Sequence, residues 1–407
     1  MQFQFSRPLL PIVLSFFIAV GGAYAQEAGK GASMRPEIGK PVQAAVEALK
    51  AKRGKEALAK LSEAEAIGGK TAYESFVIDQ IKGQAAALAG DASVAAAAFE
   101  SASNSSAVSG AQKLTFMAAA IGQYYTARAY GKSAELASRY FKEGGNDKAL
   151  RTIYVQSLYL GGDMARALKE LQADIQAADQ PTEQQLQMLS DIANRQKDSN
   201  AYIAALEKLV VHYPKREYWQ SLVFSVATKP GFSDRLALDM LRIKLATGTI
   251  RTAAEYVEAV QLALQAGYPA EAKKFLEAGY GANQLGTGAE AERHTRLKGS
   301  TEKALAEDTK TLGADDAKVA ALPSGDPQMN AGFNYVLRGQ HDKGLPMLDA
   351  GFKKGNFKRP EDARLHYGIA LLMAGQKTKG IEMLRGVKGA DGTAEIARLW
   401  ILQAQRS

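Results

Sequence analysis

The stretch Gly162-Asp163-Met164-Ala165-Arg166-Ala167 decides the fold of this 407-residue chain. The glycine ends one apolar-periodic segment, the aspartate can cap the next, and a small residue follows five positions after the glycine. The same arrangement recurs along the chain. Its clearest copies begin at Gly90, Gly267, Gly339 and Gly375, and weaker ones lie near Lys52, Arg128, Lys197 and Pro230. The steps between neighbouring turns are 33–38 residues long, except for one of 72, which equals two steps of 36 around a degenerate unit.

The segments between these turns are predicted to be helices. They are rich in Ala, Leu, Glu, Lys and Gln, which favour helix, and no convincing alternation of apolar and polar residues predicts a strand. A turn every 34 or so residues between two helical segments indicates a helix–turn–helix repeat. The sequence therefore predicts an all-α stack of about nine helix pairs.

In its period and in its small residues the chain resembles the tetratricopeptide repeat (TPR) family. That family has a small residue seven positions before the turn, matched by Gly83, Gly332 and Gly368. It has another five positions after the turn, matched by Ala57, Ala95, Ala167, Ala272, Gly344 and Gly380. A large apolar residue follows four positions later, matched by Leu61, Phe99, Leu171, Leu276, Leu348 and Leu384. The resemblance implies an α-solenoid that forms a right-handed superhelix.

The N-terminus is predicted to be a secretory signal peptide over residues 1–25. Arg7 precedes a mostly apolar run from Leu9 to Val20, and a small-residue stretch ends at Ala25. The run is too short to span a bilayer as a helix, so we expect cleavage after Ala25 and export. In a bacterium with two membranes the mature protein would be periplasmic.

The mature chain is predicted to contain four further segments. Residues 26–40 are expected to be a flexible lead-in, and 41–284 an N-terminal TPR-like array. Residues 285–327 are expected to form an irregular helical unit with a hinge at 322–327. Residues 328–407 are expected to form C-terminal TPR-like repeats closed by a capping helix.

Composition leaves few catalytic classes open. The absence of cysteine excludes thiol chemistry, disulfides and thiolate metal sites, and the four histidines are far apart in sequence. The net charge of +8 is spread over the chain without a basic stripe, so we expect no nucleic-acid partner. We predict no catalytic residue, no cofactor and no metal.

Three local motifs have functional interpretations that we weighed against structural ones. Residues 64–71 satisfy the loose pattern of a phosphate-binding loop, but a helix rather than a strand precedes them, which favours an inter-repeat turn. Glu74-Ser75-Phe76 is similar to the catalytic start of lytic transglycosylases, but their continuation is absent. Asp315-Asp316 is expected to be a solvated pair.

The binding site is predicted on one face of the first helix of each repeat. In the superhelix that the resemblance implies, positions ten, six and three residues before each turn point into a concave groove. Amide and aromatic side chains recur there and suit an extended peptide. The candidate groove residues are Gln80, Gln84, Tyr125, Gln156, Tyr159, Gln187, Asp191, Asn194, Gln220, Phe224 and Gln261.

The sequence thus predicts a non-enzymatic protein-interaction scaffold. The chain looks like exported TPR proteins of Gram-negative bacteria, some of which accompany TonB–ExbB–ExbD systems, and a partner of that type is implied by analogy alone. The alternative is a cell-envelope assembly or export factor that binds polysaccharide or outer-membrane components. An enzyme is the third reading, and it requires a buried titratable group in a closed pocket.

Overall fold

In the computed structural model, residues 33–406 are described, and within them the chain is all α-helical apart from turns and one 3₁₀ segment. The predicted signal peptide and its cleavage site lie outside the described residues. Residues 36–40, predicted to be part of a flexible lead-in, are helical instead. Pro36 sets the first turn of a helix because its ring fixes a helical φ angle, and Ile38 is buried in the same turn.

Residues 33–179 form one compact unit of four helix pairs. Its helices are α1 (Pro36–Lys50), α2 (Gly54–Glu65), α3 (Ala72–Ala89), α4 (Ala92–Asn104), α5 (Gly110–Thr126), α6 (Tyr130–Lys142), α7 (Lys148–Leu160) and α8 (Met164–Ala177). Each helix packs against the next along the chain, as expected for stacked helix hairpins.

Residues 180–406 form the second unit. Its helices are α9 (Glu183–Arg195), α10 (Ser199–His212), α11 (Arg216–Ala227), α12 (Ala237–Ala246), α13 (Ala253–Gln265), α14 (Pro269–Gly281), α15 (Ala291–Thr311), α16 (Asp316–Ala321), α17 (Asp326–Leu337), α18 (His341–Lys354), α19 (Pro360–Met373), α20 (Lys377–Arg385) and α21 (Thr393–Arg406). A 3₁₀ segment, Asp234–Leu236, precedes α12.

The nine predicted turns are confirmed. Eight of the predicted positions have a left-handed backbone, and at the ninth the left-handed residue is Gly231, next to Pro230. Glycine occupies most of these positions because it adopts positive φ without a steric penalty. Lys52, Arg128 and Lys197 adopt the same conformation with φ angles of 58°, 60° and 57°.

The small residues predicted at helix crossings are confirmed too. A β-carbon on Gly332 would stand 2.8 Å from the carbonyl oxygen of Gly344, and one on Gly344 would stand 2.6 Å from that of Gly332. A β-carbon on Gly368 would stand 2.6 Å from Leu384, the large apolar residue of the same repeat. These distances are shorter than real β-carbon contacts, so close crossing of the helix pairs depends on glycine. The chain is an all-α solenoid of TPR-like helix–turn–helix repeats.

The degenerate repeat differs from the prediction in one respect. An even spacing would place a turn near residue 303, yet α15 runs unbroken from Ala291 to Thr311. Its turn comes at Gly313, where φ is +87°. Most of α15 is solvent-exposed, so few buried contacts oppose a helix longer than its neighbours.

The segment predicted to be a hinge is tied to the loop after α18. The Gly325 amide donates to the Gly355 carbonyl oxygen at 2.8 Å, and the Lys354 ammonium donates to the carbonyl oxygens of Ala320 and Leu322. Movement about residues 322–327 stays a prediction, and it would have to break these bonds.

The last helix, α21, has two sets of neighbours within the second unit. It packs on α19 and α20, and also on α10, α11 and α12. Lys229 pairs with Glu395 at 2.7 Å, and Arg398 pairs with Glu207 at 2.6 Å. The second unit therefore joins its C-terminal helices to its earlier repeats through ion pairs between residues more than 160 positions apart in sequence.

Candidate protein-interaction surface

In the second unit, α9, α11 and α13 are each the first helix of a repeat. Their N-terminal ends lie close together. At the start of α9, Glu183 pairs with Lys215, which precedes α11, at 2.6 Å. The Gln187 amide donates to the Tyr218 hydroxyl at 2.6 Å, which joins the second turn of α9 to the first turn of α11. The Arg216 guanidinium donates to the Ile250 carbonyl oxygen at 3.3 Å, which joins the start of α11 to the segment before α13.

The candidate residues occupy corresponding positions along the three helices. Asp191, Phe224 and Gln261 are each the ninth residue of their helix. The fifth residues are Gln187, Gln220 and Val257, and the twelfth are Asn194, Ala227 and Leu264. Because helical positions four and three apart share a face, these nine residues lie in groups of three, each group on one side of its helix. We call them the α9–α11–α13 face.

The α9–α11–α13 face is accessible and predominantly uncharged. Phe224, Asn194 and Gln261 are exposed, and the other six residues are partly exposed. Phe224, at 68% relative exposure, is the most exposed large hydrophobic residue among residues 33–406. The single acidic residue of the α9–α11–α13 face, Asp191, is paired with Arg195 at 2.5 Å. An exposed aromatic ring can cover an apolar side chain of a partner, and the amides around it can form hydrogen bonds with a peptide backbone.

Phe224 is not part of the core of α11. Trp219, Leu222, Val223 and Val226 of that helix are all buried, and the Arg406 guanidinium of α21 lies over the Trp219 ring, 5.6 Å from its centroid. Each residue of an α-helix turns about 100° around the axis. Phe224 is therefore about 140° from Trp219 and about 160° from Val226, on the opposite side of α11 from both. The fold therefore leaves this ring in solvent while the opposite side of α11 packs on α21.

The candidate residues of the first unit are placed differently. Gln80 and Gln84 on α3 are partly exposed, and the Tyr125 hydroxyl donates to the Gln156 side-chain oxygen at 2.9 Å. Gln156 and Tyr159 are buried, at 4% and 5% relative exposure. The structure thus brings Tyr125 and Gln156 together, but it does not present Gln156 or Tyr159 to a ligand as an open groove would.

In two of the local motifs, residues 64–71 and Glu74-Ser75-Phe76, polar side chains form hydrogen bonds within the fold. Lys70, in the loop that matches the phosphate-binding pattern, donates to the carbonyl oxygens of Glu65, the last residue of α2, and of Ile67 in the turn that follows. The Glu74 carboxylate receives hydrogen bonds from Arg35 and from the Thr71 amide. These bonds lower the pKa of Glu74 to about 2, with the Arg35 side chain as the main cause. Glu74 is therefore a charged helix cap, whereas a general acid needs a raised pKa.

The acidic pair Asp315-Asp316 also has local partners. Lys318 donates to Asp315 at 2.7 Å, and the Tyr335 hydroxyl donates to Asp316 at 2.7 Å. Across residues 33–406 no group of three or more His, Asp or Glu side chains is arranged to hold a metal ion. Within the same range, none of the helices combines the length and the apolar character needed to span a membrane.

The second unit contains a buried charged cluster that the sequence did not predict. The Arg242 guanidinium donates to both carboxylate oxygens of Glu271 at 2.7 Å and to Asp239 at 2.6 Å. His366 lies 2.9 Å from Asp239 and stacks on Phe333. Burial raises the pKa of Asp239, but the charges of His366 and Arg242 outweigh it and hold that pKa well below its ordinary value. The cluster fastens α12, α14 and α19 together.

No signal in the sequence marks Asp239, Arg242, Glu271 and His366 as partners. His366 is 127 positions from Asp239, and each residue fits an ordinary helical pattern. Arg242, Asp239 and Glu271 are almost fully buried and bonded to one another, so the cluster is a structural connection.

Comparison with known proteins adds little to this description. No protein-family model and no curated protein matches the sequence. Among solved structures, the chain is similar to Naa15/Naa10 bound to HypK-THB, with a TM-score of 0.29, 11% identity, and coverage of 88% of this chain and 70% of that chain.

Two further solved structures have comparable likeness. For yeast Tom70 the TM-score is 0.25, with 8% identity and coverage of 91% of this chain and 96% of the other. For the TPR domain of P58(IPK) the TM-score is 0.23, with 13% identity and coverage of 91% and 97%. At these scores the description of the fold rests on the helix pairs themselves.

Proposed function

We propose that this protein is a non-enzymatic protein-interaction scaffold of the periplasm, which binds an extended partner segment along the first helices of its repeats. The observation that carries the proposal is the α9–α11–α13 face, where an exposed aromatic ring and several amides occupy corresponding positions of three helices that are each the first of a repeat. Stacked repeats are stabilised by contacts between neighbours, so a face of this kind is free to bind without loss of the core.

The arrangement of the aromatic residues supports a protein partner over a polysaccharide. Binding of sugar rings would need several exposed aromatic platforms. Among residues 33–406 Phe224 is the single aromatic residue with a largely exposed side chain, while Trp219 and Trp400 are buried. Amides beside one ring suit a peptide, whose backbone they can bond.

The experiment is site-specific photo-cross-linking in the cells that produce the protein. A photoreactive amino acid at Gln261 tests the face, and one at Lys208, an exposed residue of the second helix α10, is the matched control. The proposal predicts protein adducts from position 261 and none from position 208. Adducts that are glycans, or equal protein labelling at both positions, would contradict it.

The cellular location needs its own test. Fractionation should place the mature protein in the periplasm, and its first residue should be Gln26. A full-length protein in the cytoplasm would remove this part of the proposal. A component of a TonB–ExbB–ExbD system, the partner implied by resemblance, is one candidate for the cross-linked protein. Mass spectrometry of the adducts would identify that protein.

A further inference from the structure

We infer that the second unit is the closed form of two arms, and that the contact between them opens when its ion pairs are screened by salt. Arm 1 is residues 183–281, which contain α9 to α14, and arm 2 is residues 326–406, which contain α17 to α21. The chain between the arms contains α15 and α16. The inference needs no partner molecule, so it is independent of the proposed function.

The two arms contact each other through different sides of their repeats. Arm 1 contributes mainly its second helices, since α21 packs on α10, α11 and α12, and α14 packs on α17. Arm 2 contributes α21 and its first helices, since His366 of α19 lies 2.9 Å from Asp239 of α12. Arm 1 therefore covers the first-helix side of arm 2, and separation of the arms would expose that side to solvent.

Arg235, in the 3₁₀ segment of arm 1, binds two carboxylates of arm 2. Its guanidinium donates to Asp362 of α19 at 2.5 Å and to Asp391, which lies just before α21. The Ser233 amide donates to the Asp391 carbonyl oxygen at 2.8 Å. The side chains of Arg235 and Asp391 are 24% and 42% exposed, so salt ions can approach this pair and weaken its attraction.

The ion pairs of α21 are also accessible to solvent. Arg398, with a side chain 65% exposed, pairs with Glu207, and Lys229, at 33%, pairs with Glu395. Burial raises the pKa of Glu207 in spite of the nearby Arg398. The carboxylate therefore loses more by its lost hydration than the arginine returns, and this pair adds little to the stability of the closed form.

The centre of the contact combines rings with buried charges. Phe333 of α17 packs edge-on against Tyr268, with ring centroids 5.6 Å apart, and the Arg242 guanidinium lies over the Phe333 ring. Polar contacts between parts of one chain generally permit relative movement. The bond between His366 and Asp239 is buried and therefore screened less than the outer pairs. We therefore expect a mixture of closed and open molecules at high salt.

The test measures the distance between two spin labels by pulsed electron paramagnetic resonance. The natural chain has no cysteine, so labels can be attached through Lys208→Cys in α10 and Lys379→Cys in α20, which are exposed positions on different arms. Labels at Lys208→Cys and Glu258→Cys, both on arm 1, are the control. At about 1 M NaCl the Debye length is about 3 Å, against about 10 Å at 0.1 M. Raising the salt over this range should give the first pair a population at longer distance and leave the control pair unchanged.

Arg235→Ala should show the longer distance already at low salt, because it removes both ion pairs of Arg235. Lys353→Ala, which breaks an ion pair within arm 2, is the matched variant and should remain closed. Circular dichroism would verify an unchanged helix content, and Arg398→Ala replaces Arg235→Ala if the latter does not fold. One unchanged distance at both salt concentrations and in the variant, or a longer distance that appears only with loss of helix, would overturn the inference.

Discussion

Gly83 lies against the ring of Phe99 with no room for a β-carbon, since one added at residue 83 would stand 2.5 Å from two atoms of that ring. Gly83 is on the first helix of its repeat and Phe99 on the second. The contact is therefore a point at which α3 and α4 cross closely, and the glycine allows the crossing.

Replacing Gly83 with alanine should destabilise the protein by about 1–3 kcal/mol, the usual cost of overpacking a core. Gly131 is the matched control because a β-carbon there meets nothing within 4 Å. The free energies of unfolding of both variants can be measured by chemical denaturation. Equal values for Gly83→Ala and Gly131→Ala would show that the crossing is not close.

The left-handed turns offer a prediction of the opposite sign. Arg128 has φ of +60° at the turn between α5 and α6, a conformation that costs a residue with a β-carbon about 1–2 kcal/mol. Arg128→Gly should therefore raise the free energy of unfolding by about 1 kcal/mol, and Gly162→Ala, at a turn where φ is +87°, should lower it by a similar amount. A loss of stability in Arg128→Gly would mean that its side chain has a role the turn geometry does not explain.

The turns could be predicted because the left-handed backbone restricts the residues that occupy it. Gly90, Gly267 and Gly375 mark such positions directly, and the even spacing locates Arg128, which composition alone would not mark. The same logic located Gly83, because close crossing of helices requires a small residue at a fixed distance from the turn. The regular recurrence of turns and small residues was therefore sufficient to predict most of the fold.

The candidate site was predicted less completely. Helical spacing selected Phe224 and Gln261, which the structure leaves exposed, and it also selected Gln156 and Tyr159, which are buried. Spacing assigns a residue to one side of a helix, but burial depends on what packs against that side. The Arg242 cluster was not predicted for a similar reason, since its members come from helices that are distant in sequence.

The Arg242 cluster should contribute strongly to stability because removal of its cation takes away the two hydrogen bonds to the buried Glu271 carboxylate and leaves the buried Asp239 carboxylate with His366 alone. We expect Arg242→Met to destabilise the protein by about 3–5 kcal/mol. The control is Lys353→Ala, which breaks an exposed pair with Asp349 and should cost less than about 1 kcal/mol.

A triple variant separates the charge effect from the loss of packing. Replacing Asp239, Arg242 and Glu271 together with Leu, Met and Met removes the buried charges and should recover much of the stability lost in Arg242→Met. If chemical denaturation gave the triple variant an equal or greater loss, packing of the arginine on Tyr268 and Phe333 would be the main contribution.

The Glu74–Arg35 pair predicts a specific pH dependence. The pKa of Glu74 is about 2 in the folded protein, against about 4.3 in an unfolded chain. Its carboxylate therefore stabilises the fold fully above pH 4.3, and this contribution disappears as the pH falls towards 2. Glu74→Gln should be less stable than wild type at pH 7, and the difference should shrink over that range.

The substitution isolates charge because glutamine can keep the hydrogen bond to the Thr71 amide. Glu63→Gln, in the exposed pair of Glu63 with Lys60, is the matched control and should change the free energy of unfolding little at any pH. Unfolding followed by circular dichroism from pH 7 to pH 2 would measure both variants. A constant difference between Glu74→Gln and wild type would exclude the carboxylate as the cause.

The proposed function requires that a protein partner covers the α9–α11–α13 face. Carbene footprinting of the mature protein, alone and with the partner identified by cross-linking, measures this directly through the labelling of exposed side chains. We predict that labelling of Phe224 and Gln261 falls on binding while that of Lys208 and Leu322 is unchanged. Unchanged labelling of Phe224 and Gln261, together with protection of Lys208 or Leu322, would contradict the claim.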